Sequence, residues 1–161
     1  MNNSFDQMPD DARLWIYQCN RKFSPAEIEG INSSLREFLA SWDAHGIALK
    51  SAYKLYYDQV IVLAVDQSSY GASGCSIDAS VAFMKSLERT YGISLTDRSQ
   101  IGFVIDREIK VLNLSQIKEA IISDKIKPED IILNNAVSSV AEFKKFWYQT
   151  VDQSWCKKYL I

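Results

Sequence analysis

LKSAYKLYYDQVIVLAVD, residues 49–66, decides the fold. Its first half alternates, with Leu49, Tyr53, Leu55 and Tyr57 on one face and Lys50, Ala52, Lys54 and Tyr56 on the other. That is the period of a half-buried strand. Asp58-Gln59 turns the chain without the glycine that the tightest hairpins favour. Val60 to Val65 is uniformly apolar, the pattern of a central strand covered on both faces. An antiparallel hairpin in mid-chain is therefore the first fixed point.

Upstream, Leu14-Trp15-Ile16-Tyr17 is a short β-prone run and reads as the first strand. Ser24-Pro25-Ala26-Glu27 combines a capping box with proline at the first helical position. Ile28, Ile31, Leu35, Phe38, Leu39 and Trp42 then follow at three- and four-residue steps, which predicts a helix over 25–44 with Gly46 as its stop. Downstream, a loop of small residues from Asp66 to Cys75 leads into a helix starting near Ser76. That helix carries Ile77, Val81, Met84, Leu87 and Tyr91 and ends at Gly92. Ile101–Ile105 and Ile109–Leu112 flank Asp106-Arg107-Glu108 as a second hairpin.

Beyond residue 112 the signals are weaker. Leu114–Ser123 reads as a short helix and Ile131–Leu133 as a small strand or extended segment. Ser139–Glu142 reads as a capping box opening a helix through Val140, Phe143, Phe146 and Trp147. The tail keeps Trp155, Tyr159, Leu160 and Ile161, too apolar to dangle, so it is expected to pack on the domain or on a partner. The order strand, helix, strand, strand, helix, hairpin fits the split βαβ arrangement of ferredoxin-like folds. The expectation is an α+β fold: one domain over 1–161, a mostly antiparallel sheet with helices on one face, and a core over 13–112. Residues 1–12 are read as a frayed arm and 113–161 as a helical extension packed on the core.

Composition bounds the function. With 161 residues, 47% of them hydrophobic and 24% charged, the chain can bury a real core and is unlike disordered sequences. A formal charge of −2 and a pI near 5.4 argue against bulk binding to nucleic-acid phosphates. Cys19, Cys75 and Cys156 are scattered and odd in number, so they form no disulfide framework. Met1 to Asp11 is polar and acidic, unlike a secretory leader, and the longest apolar run is too short to cross a bilayer, so cytoplasm is the expected location.

Several segments carry a resemblance. They are Trp15-Ile16-Tyr17-Gln18 with Asn20-Arg21-Lys22-Phe23, Ala44-His45-Gly46 with Leu49-Lys50, and the run from Leu63-Ala64-Val65-Asp66 through Ser73-Gly74-Cys75-Ser76-Ile77-Asp78 to Tyr91-Gly92. On these the chain resembles an uncharacterised bacterial protein family often labelled as ABC transporter ATPases. The resemblance brings no mechanism with it. The label also asks for a phosphate cradle G-x-x-x-x-G-K-[ST]. Gly71-Ala72-Ser73-Gly74-Cys75-Ser76 has the wrong glycine spacing and no lysine after the second glycine, so ATPase activity is not expected.

The same segment is the candidate site. A helix start offers unpaired N–H groups and partial positive charge, so Ser73, Gly74, Cys75, Ser76 and Asp78 are candidate anion-binding residues. Equally, the glycines permit a tight turn, Ser76 caps the helix and Asp78 complements its dipole. Cys75 at that position is a candidate nucleophile, with His45 as base and Asp66 or Asp78 orienting it. In the ferredoxin-like reading, however, the loops holding His45 and Cys75 lie at opposite ends of the sheet.

A single histidine and three scattered cysteines give no zinc pattern, and no metal or other cofactor is expected. Asp66, Asp78 and Asp106 could hold magnesium but equally suit turns and caps. Lys50, Tyr53, Lys54, Tyr56 and Tyr57 mix basic and aromatic character, yet alternation parts Tyr53 from the lysines, so nucleic acid is not the expected partner. Two functions stand. The first is a non-enzymatic binding or assembly module contacting a partner protein or itself, with no membrane. The second is a small-molecule or anion site, or a thiol-dependent enzyme, at the Ser73–Asp78 helix start.

Overall fold

A computed structural model describes residues 4–160. In chain order its main elements are β1 (Arg13–Gln18), α1 (Pro25–Ser41), β2 (Asp43–Ala44), β3 (Ile47–Ala48), β4 (Lys50–Tyr56), β5 (Val60–Asp66) and α2 (Gly74–Tyr91). There follow β6 (Gln100–Ile105), β7 (Glu108–Asn113), α3 (Ile117–Ile122), β8 (Ile131–Leu133), α4 (Val140–Phe146) and β9 (Tyr148–Thr150). Short 3₁₀ turns at Phe5–Gln7, Leu114–Gln116, Val151–Gln153 and Trp155–Tyr159 complete the list. The fold is α+β, and every strand pair is antiparallel.

The strands make two main sheets, ordered β1-β5-β4 and β7-β6-β8-β9, with β2-β3 a separate ribbon. β5 is central in the first sheet, and Val60 to Val65 are fully buried as their apolar run requires. Its two faces part by alternation. Ile61, Leu63 and Val65, with Trp15 and Tyr17 of β1, meet Ile31 and Leu35 of α1 and Met84 and Leu87 of α2. Val60, Val62 and Ala64, with Leu14 and Ile16, meet Ile109 of β7, Leu133 of β8 and the α4 residues Val140 and Phe143. The far face of the second sheet, through Phe103 and Ile132, packs on Ile117 and Ile121 of α3 and on Val151 and Cys156 of the tail. The layers therefore run helices, sheet, sheet, helix and tail. Each buried Val, Leu or Ile contributes roughly 1.5–3 kcal/mol, so β5 alone anchors both inner interfaces.

The first sheet has the strand order of the split βαβ unit, but the fourth strand does not join it. After α2 the chain founds the second sheet instead, because β6 has apolar residues for both faces: Val104 toward the first sheet, Ile101, Phe103 and Ile105 toward α3 and the tail. Among the described residues no strand pairs with the outer edge of β1; an isolated bridge between Arg13 and Ser139 meets one end, and the Asn20 amide bonds the Ser94 carbonyl at the other. The expected helical extension also changes character, since β8 and β9 within 113–161 extend that second sheet.

Three boundaries move. α1 stops at Ser41, Trp42 turns extended, and His45-Gly46, both with positive φ, close the β2–β3 ribbon; Gly46 is a turn residue and not the helix stop. α2 is capped by Ser73 rather than Ser76, in a reciprocal box with Ser76 at the third helical position. The first residues are not a frayed arm where they are described. Met8 and Ala12 are buried, and Phe5 packs edge-on against Tyr56 and Phe143. The arm expected over 1–3 and the packing expected of Ile161 lie outside the described residues.

Candidate functional site

The helix start singled out by the sequence is a self-satisfied cap. The Ser73 amide donates to Ser76 Oγ at 2.7 Å, the Ser76 amide to Ser73 Oγ at 3.2 Å, and the Ser76 hydroxyl to the Ser73 carbonyl at 2.8 Å. Ser76 is buried, and its own carbonyl receives the Trp42 indole N–H at 2.8 Å. Gly74, Cys75 and Asp78 are exposed. Asp66 accepts the Ser68 amide at 2.9 Å, a bond that holds its carboxyl below the ordinary range. His45 is exposed at the tip of the β2–β3 ribbon.

The Trp42–Ser76 bond corrects one expectation: the end of α1 and the start of α2 lie at the same end of the sheet. The reason is topological. Two antiparallel strands separate the helices, so the chain reverses twice and re-enters α2 at the end where α1 finished. Even so, no hydrogen bond among the described residues links His45, Cys75, Asp66 or Asp78 to one another, and no group of three or more His, Cys, Asp or Glu is placed to hold a metal. Asp106 sits at the β6–β7 turn, on the other sheet. The other two thiols, Cys19 and Cys156, are buried, and burial pushes both pKa values up.

The aromatic strand is likewise occupied. Tyr53 donates to Asn32 Oδ1 at 2.8 Å, and Tyr56 packs edge-on against Phe143 and Trp147. β4 is half-buried, as its alternation reads, with Lys50 exposed and Tyr53 to Tyr56 partly buried; where it is covered, the helices meet one face and the second layer the other.

A different site emerges where the two sheets part. Because β6 leaves the edge of β1, a cleft of about 260 Å³ opens between β1, β6, β8 and the loop after α2. Ile16, Leu95, Ile101 and Ile132 supply apolar wall, whereas Gln18, Gln100, Asn134, Asn135 and Gln149 supply carboxamides. Trp155, 43% exposed, stands among the lining residues.

The carboxamides form a directed chain. The Trp147 indole N–H donates to Asn135 Oδ1 at 2.9 Å, Asn135 Nδ2 donates to Gln18 Oε1 at 3.0 Å, and Gln18 Nε2 reaches the Gln100 carbonyl at 3.4 Å. Gln18 is only 7% exposed, and it fits because residue 102 is glycine. A Cβ there would lie 2.2 Å from Gln18 Oε1 and 3.2 Å from Ile109 Cγ2. Gln100 Oε1 is buried without a hydrogen-bond partner among the described residues. Such an orphan acceptor costs roughly 1–3 kcal/mol, so a donor at that point would be welcome.

The mouth is held by Glu88. Its carboxylate accepts the Leu95 and Thr96 amides at 2.7 and 3.0 Å and the Thr96 hydroxyl at 3.1 Å. Partial burial opposes ionisation there, but these bonds outweigh it and keep the pKa below the ordinary range. The loop so fixed presents Asp97 and Arg98. Asp97 Oδ1 is engaged by the Ser99 amide and hydroxyl at 2.9 and 2.6 Å, whereas Arg98 is exposed and takes no part in the ion pairs found among the described residues.

None of these residues belongs to the site expected from sequence. Uncharged amides have no motif; the available signals were a glutamine closing the apolar run of β1 and the Asn134-Asn135 doublet after β8. No family model, no curated protein and no solved structure matches this chain. No helix among the described residues is long and apolar enough to cross a membrane.

Proposed function

We propose that this protein is a binding module that holds a small polar molecule in the cleft between its two sheets. One observation carries the reading: Gln100, whose Oε1 is buried without a partner among the described residues, lines the cleft beside the Trp147–Asn135–Gln18 hydrogen-bond chain. Amides and a guanidinium orient a ligand by hydrogen bonding without exchanging protons near neutral pH, and the one lining carboxylate, Asp97, is already engaged by the Ser99 amide and hydroxyl, so binding rather than catalysis is the natural use of this wall. The volume lies just under the roughly 300–1,000 Å³ of drug-sized pockets, which suits a small metabolite.

The test uses a variant that blocks the mouth. Ala136 lines the cleft and is exposed, so Ala136→Trp fills it at little cost to stability. A thermal-shift screen of polar metabolites against both proteins should yield compounds that raise the Tm of the wild type and leave the variant unmoved. Compounds that stabilise both equally would place binding elsewhere.

A second reading, assembly with a partner or another copy, is favoured by Phe146 and Tyr148, 52% and 49% exposed beside the edge strand β9. Trp and Tyr side chains commonly anchor such surfaces. Sedimentation of Phe146→Ser against the wild type decides it: a concentration-dependent mass that the substitution abolishes supports assembly, and a monomer at all concentrations removes self-association.

A further inference from the structure

The binding reading leaves one wall of the cleft unaccounted for, and that wall is a strand edge. Cys19 donates to the Gln59 carbonyl at 2.8 Å, in register with the β1–β5 ladder. Antiparallel pairing alternates, so Trp15 and Tyr17 also bond toward β5, while Leu14, Ile16 and Gln18 turn their N–H and C=O groups outward. The outward row is closed at both ends by the protein itself. The Leu14 amide donates to Ser138 at 3.1 Å, and the Asn20 amide donates to Ser94 at 3.2 Å. Between them, Ile16 and Gln18 line the cleft, and no hydrogen bond to their backbone groups is found on that side among the described residues.

Two residues of one strand edge, two positions apart, repeat a donor–acceptor pair about every 7 Å. That repeat is what alternate residues of one more antiparallel strand would pair with. A flat heterocycle presents its polar atoms on one short edge and meets only one of the two residues. The end closures limit the occupant to a short piece of chain. Arg98, on the same cleft and outside the ion pairs found among the described residues, offers a fork that fits a carboxylate.

Resting on the binding reading, we propose that the cleft takes a peptide of two or three residues, extended along the Ile16–Gln18 edge, with its free C-terminal carboxylate on Arg98.

The experiment is an amide-resolved NMR titration of the full chain with tri-alanine, tri-alanine amide and adenosine. Tri-alanine is expected to shift the Ile16 and Gln18 amide resonances saturably. Amidating its carboxylate, or Arg98→Gln, should each weaken binding on the order of tenfold, the loss of one charge-assisted contact at an exposed site. Equal affinity for the acid and the amide overturns the assignment to Arg98. Shifts at the cleft with adenosine but not with the peptide overturn the peptide class and leave the binding reading standing. No shift with any of the three also overturns the peptide, and the metabolite screen with Ala136→Trp then decides the binding reading separately.

Discussion

Gly102→Ala is the substitution that reports most on the cleft. The new methyl would stand 2.2 Å from Gln18 Oε1, 2.9 Å from Gln18 Cδ and 3.2 Å from Ile109 Cγ2. Gln18 must therefore swing away and release its bonds to Asn135 and to the Gln100 carbonyl. Two neutral hydrogen bonds are worth about 2 kcal/mol together. Crowding against Ile109 adds roughly 1 kcal/mol, and the gain from replacing glycine in a strand returns about 0.5–1 kcal/mol. The net loss is about 2 kcal/mol, or ~4–8 °C in Tm for a chain of this size. Gln18→Ala loses the same bonds and costs about 2 kcal/mol by the same reckoning. In the double variant the clash has no object, so its loss should stay near about 2 rather than ~4 kcal/mol. Urea denaturation of all four proteins measures this. Additivity within about 0.5 kcal/mol would refute the contact between residue 102 and Gln18.

Three further outcomes are expected. In the native protein iodoacetamide should label one thiol, Cys75, because Cys19 and Cys156 are buried, and urea should expose all three; a second equivalent taken up natively would contradict the packing. Glu27 is held at a pKa of about 2, first by its hydrogen bonds from Arg21 at 2.8 and 2.9 Å and then by the Ser24 amide. A carboxyl depressed on folding stabilises above its ordinary value of 4.5 and loses that contribution as pH falls toward about 2. Tm measured from pH 5 down to 2 should accordingly fall less steeply in Glu27→Gln, and equal slopes would exclude this ion pair as a source of acid sensitivity. Phe103→Ala empties the fully buried centre of the outer cluster and should cost about 3–5 kcal/mol in chemical denaturation; a loss below ~1 kcal/mol would mean that the second sheet is not packed as described.

The first sheet and its two helices were legible because their signals are local. Ser24 and Glu27 form the reciprocal box that their spacing announces, and Gly92 adopts the left-handed conformation expected after a helix. The cap of α2 was missed by three residues because Ser76 serves where a glutamate or glutamine is usual, so the box from Ser73 to Ser76 carries no charge to mark it. The hairpin turn at Asp106-Arg107 places both residues at positive φ without a glycine, a choice that tertiary pairing of β6 with β7 enforces.

What the sequence did not disclose is mostly long-range. Ala52 and Tyr56 look like a solvated face until the second layer, 50 to 90 residues away, is laid on them. The fourth strand of a ferredoxin-like sheet and the first strand of a new sheet share one pattern, and only the packing of β6 distinguishes them. The cleft follows from that departure. Its residues come from β1, β6, β8 and the loop after α2, and each is an ordinary amide on its own. By contrast, the helix start that drew the eye is accounted for by two serines and Trp42.

The central claim is that the β1 edge is open to the cleft at Ile16 and Gln18, and hydrogen exchange of single amides tests it without any ligand. Trp15 and Tyr17, bonded toward the fully buried β5, should exchange only with global unfolding. Ile16 and Gln18, one residue away on the same strand, should exchange faster by on the order of 100-fold or more through local access to water. Uniform protection across Trp15 to Gln18 would mean that the edge is already paired and would contradict a strand-like occupant there.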